Sequence, residues 1–263
     1  MLILLPPSEG KTAPLSGPPL DLDALSFPSL APHRREVMDA LAHVSASDDA
    51  LATLGVGASL HAEVARNLSL FEAPTAPAHT VYSGVLFDAL GYSSLSAAQR
   101  AKADESIVVM SGLWGAVGFA DPVPAYRLSM GAKLPGLGPL ATWWRPRLEA
   151  ELSARAEGEL VIDARSSTYA AAFRPSTESA VTVDVVQERG GVRKVVSHFA
   201  KHTRGELVRH LLQRRGAAPT TPRELLHQVN SWWPGSELTQ ATAKKPARLV
   251  IVLPEDHAFT ARG

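Results

Sequence analysis

The chain has 263 residues, 45% of them hydrophobic and 20% charged, with 26 Lys and Arg set against 26 Asp and Glu. That size and composition describe a globular unit with a substantial core. A net charge of zero removes any global pull toward nucleic acid or a membrane surface, so such an attraction has to be local. The absence of cysteine excludes disulfides, thiol nucleophiles, Cys-ligated zinc and Cys-held iron–sulfur clusters, and it fits a cytoplasmic protein.

Met1-Leu2-Ile3-Leu4-Leu5 is too short for a signal-peptide core and lacks a basic flank. No apolar run approaches the roughly 20 residues that cross a bilayer. Leu2–Leu5 reads as a strand ending at Pro6-Pro7, and residues 12–33 as irregular chain wrapping the surface. Helical periodicity follows from about His33 to Ser45 and from about Ser59 to Phe71, with Glu72–His79 as a connector. Gly84–Leu90 reads as a short helix closed by Gly91. Ser96 with Gln99 forms a capping box that starts a helix running into the β-branched strand Ser106–Met110. Residues 142–157 have amphipathic helical spacing, and Leu160–Asp163 is a further strand. Ala180–Glu188 and Val192–Ser197 flank Arg189-Gly190-Gly191 as a hairpin, a cationic helix spans about 199–214, and Arg248–Leu253 closes the pattern as a strand. Mixed strands and helices without an internal repeat or a long linker predict a single α/β domain over residues 1–263.

Three of these strands end in small or polar residues, which is where α/β proteins gather their ligands. After Met110 come Ser111-Gly112-Leu113-Trp114-Gly115, then Asp121, Tyr126 and Arg127 in a loop stiffened by Pro122 and Pro124. This cluster reads equally well as a site and as a helix N-terminus capped by Ser111 with Arg127 in a surface ion pair. After Leu5 come Ser8-Glu9-Gly10-Lys11-Thr12; a Walker A loop would need Gly where Leu5 stands, which leaves a polar strand-end loop with Ser8 and Lys11 as anion contacts, or a turn with a solvated Lys. After Asp163 come Arg165-Ser166-Ser167 and Tyr169.

His198 and His202 have zinc-ligand spacing, but Phe199 stands where a general base belongs. The single Glu224-x-x-His227 lacks the partners a di-iron bundle needs. No metal site and no cofactor are expected. Between Arg193 and Arg215 seven Lys and Arg meet a single acidic residue, Glu206. Arg209, Arg214 and Arg215 read as the solvated face of a helix, whereas Lys201 and Arg204-Gly205 sit where a functional cation would be placed.

Taken together these motifs resemble the YaaA family (UPF0246, also DUF328), which is linked to peroxide stress. The elements that carry the resemblance are Ser8-x-x-Lys11-Thr12, Val81-Tyr82-Ser83-Gly84, Ser111-Gly112-Leu113-Trp114-Gly115 with Asp121 and Tyr126-Arg127-Leu128-x-Met130-Gly131, Ser166-x-x-Tyr169, and Ala200-Lys201-x-x-Arg204-Gly205. Trp114 stands where Tyr is common. The resemblance implies a cytoplasmic, compact mixed-sheet α/β fold of unusual topology with a helix-hairpin-helix-like element. It also implies DNA binding and a role in limiting intracellular iron and oxidative damage.

Two functions follow. In the first, the 111–115 turn with Lys201 and Arg204 holds DNA phosphates, in distorted or non-duplex DNA, while Trp114 or Tyr126 stacks on an exposed base. In the second, the protein is an enzyme on a small phosphorylated or nucleotide-like anion. Ser8, Lys11, Arg127, Lys201 and Arg204 would then bind charge, and Asp121, Tyr169 or Lys11 would carry the chemistry. Tyr82, Ser111, Gly112, Gly115 and Ser166 complete the expected binding set.

Overall fold

The computed structural model describes residues 1–195 and 197–256, with side chains given for all of these except Val195, Ser197 and His198. Eight strands build the main sheet: β1 (Leu2–Leu5), β2 (Ile107–Ser111), β3 (Gly115–Gly118), β4 (Val161–Asp163), β5 (Ala180–Arg189), β6 (Val192–Val195), β7 (Glu237–Thr239) and β8 (Ala247–Leu253). Across the sheet they run β7-β8-β5-β4-β1-β2-β3, with β6 folded back on β5 as the expected hairpin. β2, β1, β4, β5 and β8 are mutually parallel; β3, β6 and β7 are antiparallel additions at the margins.

β1 explains the centre of the fold. Its four residues are aliphatic and fully buried, as expected of a strand paired on both sides and covered on both faces. Ile3 lies level with Ile107 on one flank and Ile162 on the other. The chain leaves β1 for β2 on one side and later returns to β4 on the other. The carboxyl end of β1 is therefore a point where strand order reverses, the crevice in which open α/β sheets place ligands. Pro6, Pro7 and Ser8 begin there.

The helices follow their sequence signals. Ala31–Ser45 buries Val37, Met38, Leu41 and Val44. Ala97–Ser106 starts at the capping box, with Ser96 Oγ accepting from the Gln99 amide and Gln99 Oε1 from the Ser96 amide. Leu140–Arg155 buries Leu140, Trp144, Leu148 and Leu152, and Val85–Leu90 stops at Gly91 in the left-handed region, φ 62°. The stretch expected as one helix from Ser59 to Phe71 is broken instead into short turns, Ala58–Leu60, His61–Ala65 and Arg66–Ser69. The cationic helix runs Ser197–Gln213; Val196, placed in the preceding strand by sequence, lies outside the described residues. Sequence reading missed the helix Pro222–Asn230, β3 and β7.

The turn 111–115 is not a helical hairpin. It joins two antiparallel strands, with Ser111 level with Gly115. Ser111 Oγ accepts from the amides of Leu113 (3.1 Å) and Trp114 (3.0 Å), and Gly115 adopts φ 70°, which a side chain would resist. A Cβ on Gly115 would also stand 2.7 Å from the Trp144 ring. Leu113 and Trp114 are wholly buried. β-branched residues running straight into a Gly-rich turn gave a hairpin corner packed inward, so its amides face the core and not a ligand.

Candidate functional site

Beyond the carboxyl ends of β1 and β4 lies a cleft of about 210 Å³. Its walls come from three separate stretches: Pro6 to Gly10 after β1, Ser83 to Phe87, and Ser166 with Tyr169 after β4. Lys201 and Arg204 from the helix Ser197–Gln213 complete it. Four of the five motifs that sequence reading had singled out thus reach one cavity.

Local chemistry shapes each wall. Ser8 Oγ donates to the Gly10 carbonyl and accepts the Ser83 amide at 3.0 Å, tying the first wall to the second. The third wall hangs on a buried clamp. Arg165 makes paired contacts with Asp163 (2.8 and 2.6 Å) and donates to the carbonyls of Tyr169 (3.3 Å) and Phe173 (2.9 Å), so the loop carrying Ser166 and Tyr169 is fastened to the end of β4. Tyr169 Oη accepts the Met130 amide at 3.5 Å, and burial raises its pKa, so it stays protonated.

Gly205 sets the fourth wall. A Cβ there would lie 2.1 Å from the Leu86 carbonyl oxygen, so glycine lets the long helix close on Val85–Leu90. Arg204 directs Nε (3.2 Å) and Nη2 (2.7 Å) to the Val183 carbonyl, which holds the guanidinium at the cleft; Lys201 beside it is exposed.

Lys11 lies beneath the Ser8 wall. Its Nζ donates to the Ser8 carbonyl at 3.0 Å and stands 4.2 Å from the centre of the Tyr126 ring and 5.7 Å from that of Tyr82. Burial, chiefly, lowers its pKa to about 7; Arg127 pushes the same way, while Glu9 and Glu63 oppose. Arg127 occupies both carboxylates, meeting Glu63 at 3.3 Å and Glu9 at 3.7 Å. Among the described residues Lys11 has no ion pair within 4.0 Å. Arg127 itself is steadied by Asn67, whose amide group exchanges two hydrogen bonds with its backbone, 2.8 and 3.0 Å.

Several expected site residues belong to the scaffold instead. Trp114 and Tyr126 are 0% and 2% exposed, so neither can stack on a base. Tyr126 Oη bonds Ser111 Oγ (2.6 Å) and Tyr82 Oη (3.1 Å), a buried chain that supports the platform under Lys11. Gly112 is required by contact, since a Cβ would fall 2.9 Å from the Met130 nitrogen. Asp121 accepts from Ser26 N (2.8 Å), Ser26 Oγ (2.7 Å) and Gly118 N (2.8 Å); its carboxylate closes a loop and is not placed for proton transfer. Arg209, expected on a solvated face, is buried against the carbonyls of Leu90 and Gly91.

Sequence reading passed over Arg34 and the Asp163–Arg165 clamp. Arg34 carried a signal: it falls on the buried stripe of Ala31–Ser45, three residues before Val37 and four before Met38. The side chain of His198 lies outside the described residues; among those described, no three His, Asp or Glu come together as a metal site. No described helix is long and apolar enough to cross a membrane.

The family model described as "Peroxide stress protein YaaA" matches residues 1–229. A UPF0246 protein of Streptomyces coelicolor is 44% identical over 263 residues, covering 98% of this chain and 100% of that protein. One of Corynebacterium efficiens is 44% identical over 227 residues, 85% of this chain and 87% of that protein, and one of Bordetella avium is 34% identical over 184 residues, 67% and 70%. With the fold in hand and the match spanning every wall of the cleft, the chain belongs to the YaaA family of peroxide stress proteins.

Proposed function

We propose that this peroxide stress protein works in the cytoplasm by binding DNA through the cleft, in distorted or unpaired form, and so limits oxidative, iron-mediated damage. One observation carries the reading: Ser8, Ser166, Tyr169, Lys201 and Arg204, distant in sequence, line a single concave site. Its cations suit a phosphate, and its ring and aliphatic surfaces (Phe87, Tyr169, Pro6, Pro7) suit a sugar or base. A cavity of about 210 Å³ admits the sugar-phosphate or base of one displaced nucleotide and not a helical duplex. That size equally favours a small phosphorylated or nucleotide-like substrate, the second reading.

Fluorescence anisotropy on duplex, bulged and single-stranded oligonucleotides across a salt series separates the two. Binding is expected to favour the unpaired forms. Replacing Lys201 or Arg204 by Ala should weaken binding across sequences and lower the salt slope by about one each. Binding that ignores salt, or that survives both replacements, overturns the DNA reading and leaves the small anion.

A further inference from the structure

The cleft has a larger neighbour. A hollow of about 840 Å³ adjoins it, and the two share Ser83 and Phe87 as a border. Two half-buried rings line the hollow, His79 and Tyr92, stacked with centroids 3.7 Å apart and planes 24° apart. Tyr92 is fixed in place: its Oη donates to the Asp104 carboxylate, 3.0 and 2.9 Å from the two oxygens, and its ring meets that of Phe119 edge-on.

Arg100 brings charge to the same lining. Its Nε donates to the Leu95 carbonyl at 2.8 Å and its Nη2 to the Ser93 carbonyl at 3.5 Å. Arg204 at the cleft is held in the same manner, by a main-chain carbonyl. Among the described residues neither guanidinium has a carboxylate within 4.0 Å. A guanidinium oriented by carbonyls and left without a counter-ion is a ready contact for phosphate. One carboxylate, the exposed Asp88, lines the hollow against Arg100 and Arg209. Size points the same way. About 210 Å³ admits only part of a nucleotide, so a strand anchored at Lys201 and Arg204 has to continue elsewhere, and the hollow has room for a whole one.

We propose that the hollow is a second nucleotide subsite: an unpaired DNA strand whose phosphate lies against Lys201 and Arg204 passes Ser83 and Phe87 and seats a neighbouring base on the His79–Tyr92 rings, with Arg100 on its phosphate. The inference rests on the cleft as a DNA site. Stacking supplies affinity without sequence preference, because every base has a flat face.

The test uses the full chain and fluorescein-labelled oligothymidylates of about one to eight nucleotides, read by anisotropy. Strands of equal length built of abasic sugar-phosphate units serve as the comparison. Affinity for oligothymidylate is expected to climb over the first few nucleotides, as the second subsite fills, and then to level. Tyr92→Leu should weaken the longer base-bearing strands about tenfold or more and leave the abasic strands unchanged. Tyr92→Phe keeps the ring, gives up only the Asp104 contact and should bind as wild type. Arg100→Gln should lower the salt slope by about 0.7 for both kinds of strand. Each variant is checked for cooperative unfolding; if Tyr92→Leu fails it, Arg100→Gln, which alters an exposed side chain, still decides.

Oligothymidylate binding weakened in Tyr92→Leu and Arg100→Gln as well as in Lys201→Ala and Arg204→Ala supports one strand over both cavities. Binding that depends on Lys201 and Arg204 but ignores Tyr92 and Arg100 overturns the second subsite and leaves the cleft as a DNA site. Dependence on Tyr92 and Arg100 alone keeps a base site in the hollow and overturns DNA binding at the cleft. An equal loss on base-bearing and abasic strands in Tyr92→Leu overturns stacking, and no binding at any length overturns both readings.

Discussion

The hairpin corner at 111–115 and the cleft beyond β1 both carry the residues by which this family is recognised, yet they differ in what those residues are left to do. At the corner the polar groups are answered from within, save the buried Trp114 Nε1, which has no hydrogen-bond partner among the described residues. Ser111 serves two amides and a tyrosine, Asp121 takes three donors, and Trp144 Nε1 donates to the Gly112 carbonyl at 2.8 Å. At the cleft polar groups stop short of satisfaction: Lys201 is exposed on its wall, and Lys11, behind the Ser8 wall, has one carbonyl for three N–H donors. A motif rich in Asp, Tyr and Trp marks a site only when the fold leaves its polar atoms facing something outside the protein.

The largest effect should come from breaking the corner. Arg34 is wholly buried and donates to the carbonyls of Ser26 (2.6 Å), Ala116 (2.8 Å) and Trp114 (3.1 Å), stitching the first helix to the hairpin. Arg34→Ala removes that side chain and orphans those acceptors, so a loss of about 3–5 kcal/mol is expected in urea unfolding. Ligand affinity of the fraction that remains folded should hold. A loss of affinity at unchanged stability would make the corner part of the site and erase the contrast. Gly205→Ala acts at the cleft instead. Its Cβ would drive into the Leu86 carbonyl, 2.1 Å away, and force the Ser197–Gln213 helix off the Val85–Leu90 helix. Overpacking of this kind costs about 1–3 kcal/mol. Unlike Arg34→Ala, it should also weaken binding, because both helices wall the cleft; a calorimetric scan and one titration check both.

Most of the fold was legible because its signals are local. β1 is an aliphatic run, the capping box at Ser96 starts its helix, and Arg189-Gly190-Gly191 turns the β5–β6 hairpin. The site was legible in residue type at Ser8, Lys11, Tyr169, Lys201 and Arg204, but not in membership. Whether Trp114 faces solvent or core depends on β2 pairing with β3, and β3 is Gly-Ala-Val-Gly, too short and too glycine-rich to announce itself. Nor does composition reveal that Arg127 holds Glu9 and Glu63, a convergence of residues more than fifty positions apart that only tertiary structure creates.

The subtlest prediction concerns Lys11, whose pKa in the folded protein is about 7 against an ordinary 10.5. Below pH 7 the folded and unfolded chains both hold this proton, and the cost of burying the ammonium is borne in full. Between pH 7 and 10.5 the unfolded chain still holds the proton while the folded chain has released it, so this group's contribution makes stability rise with pH across that window. Lys11→Met keeps the stem between the tyrosines and removes the titration, which isolates the effect from every other ionising group. The difference in unfolding temperature, wild type minus Lys11→Met, should therefore grow in favour of the wild type as pH climbs above 7. A difference flat with pH would mean that the ammonium keeps its proton in the folded state, a fixed charge behind the Ser8 wall held by one carbonyl and two tyrosine rings, and the contrast between the corner and the cleft would rest on Lys201 and Arg204 alone.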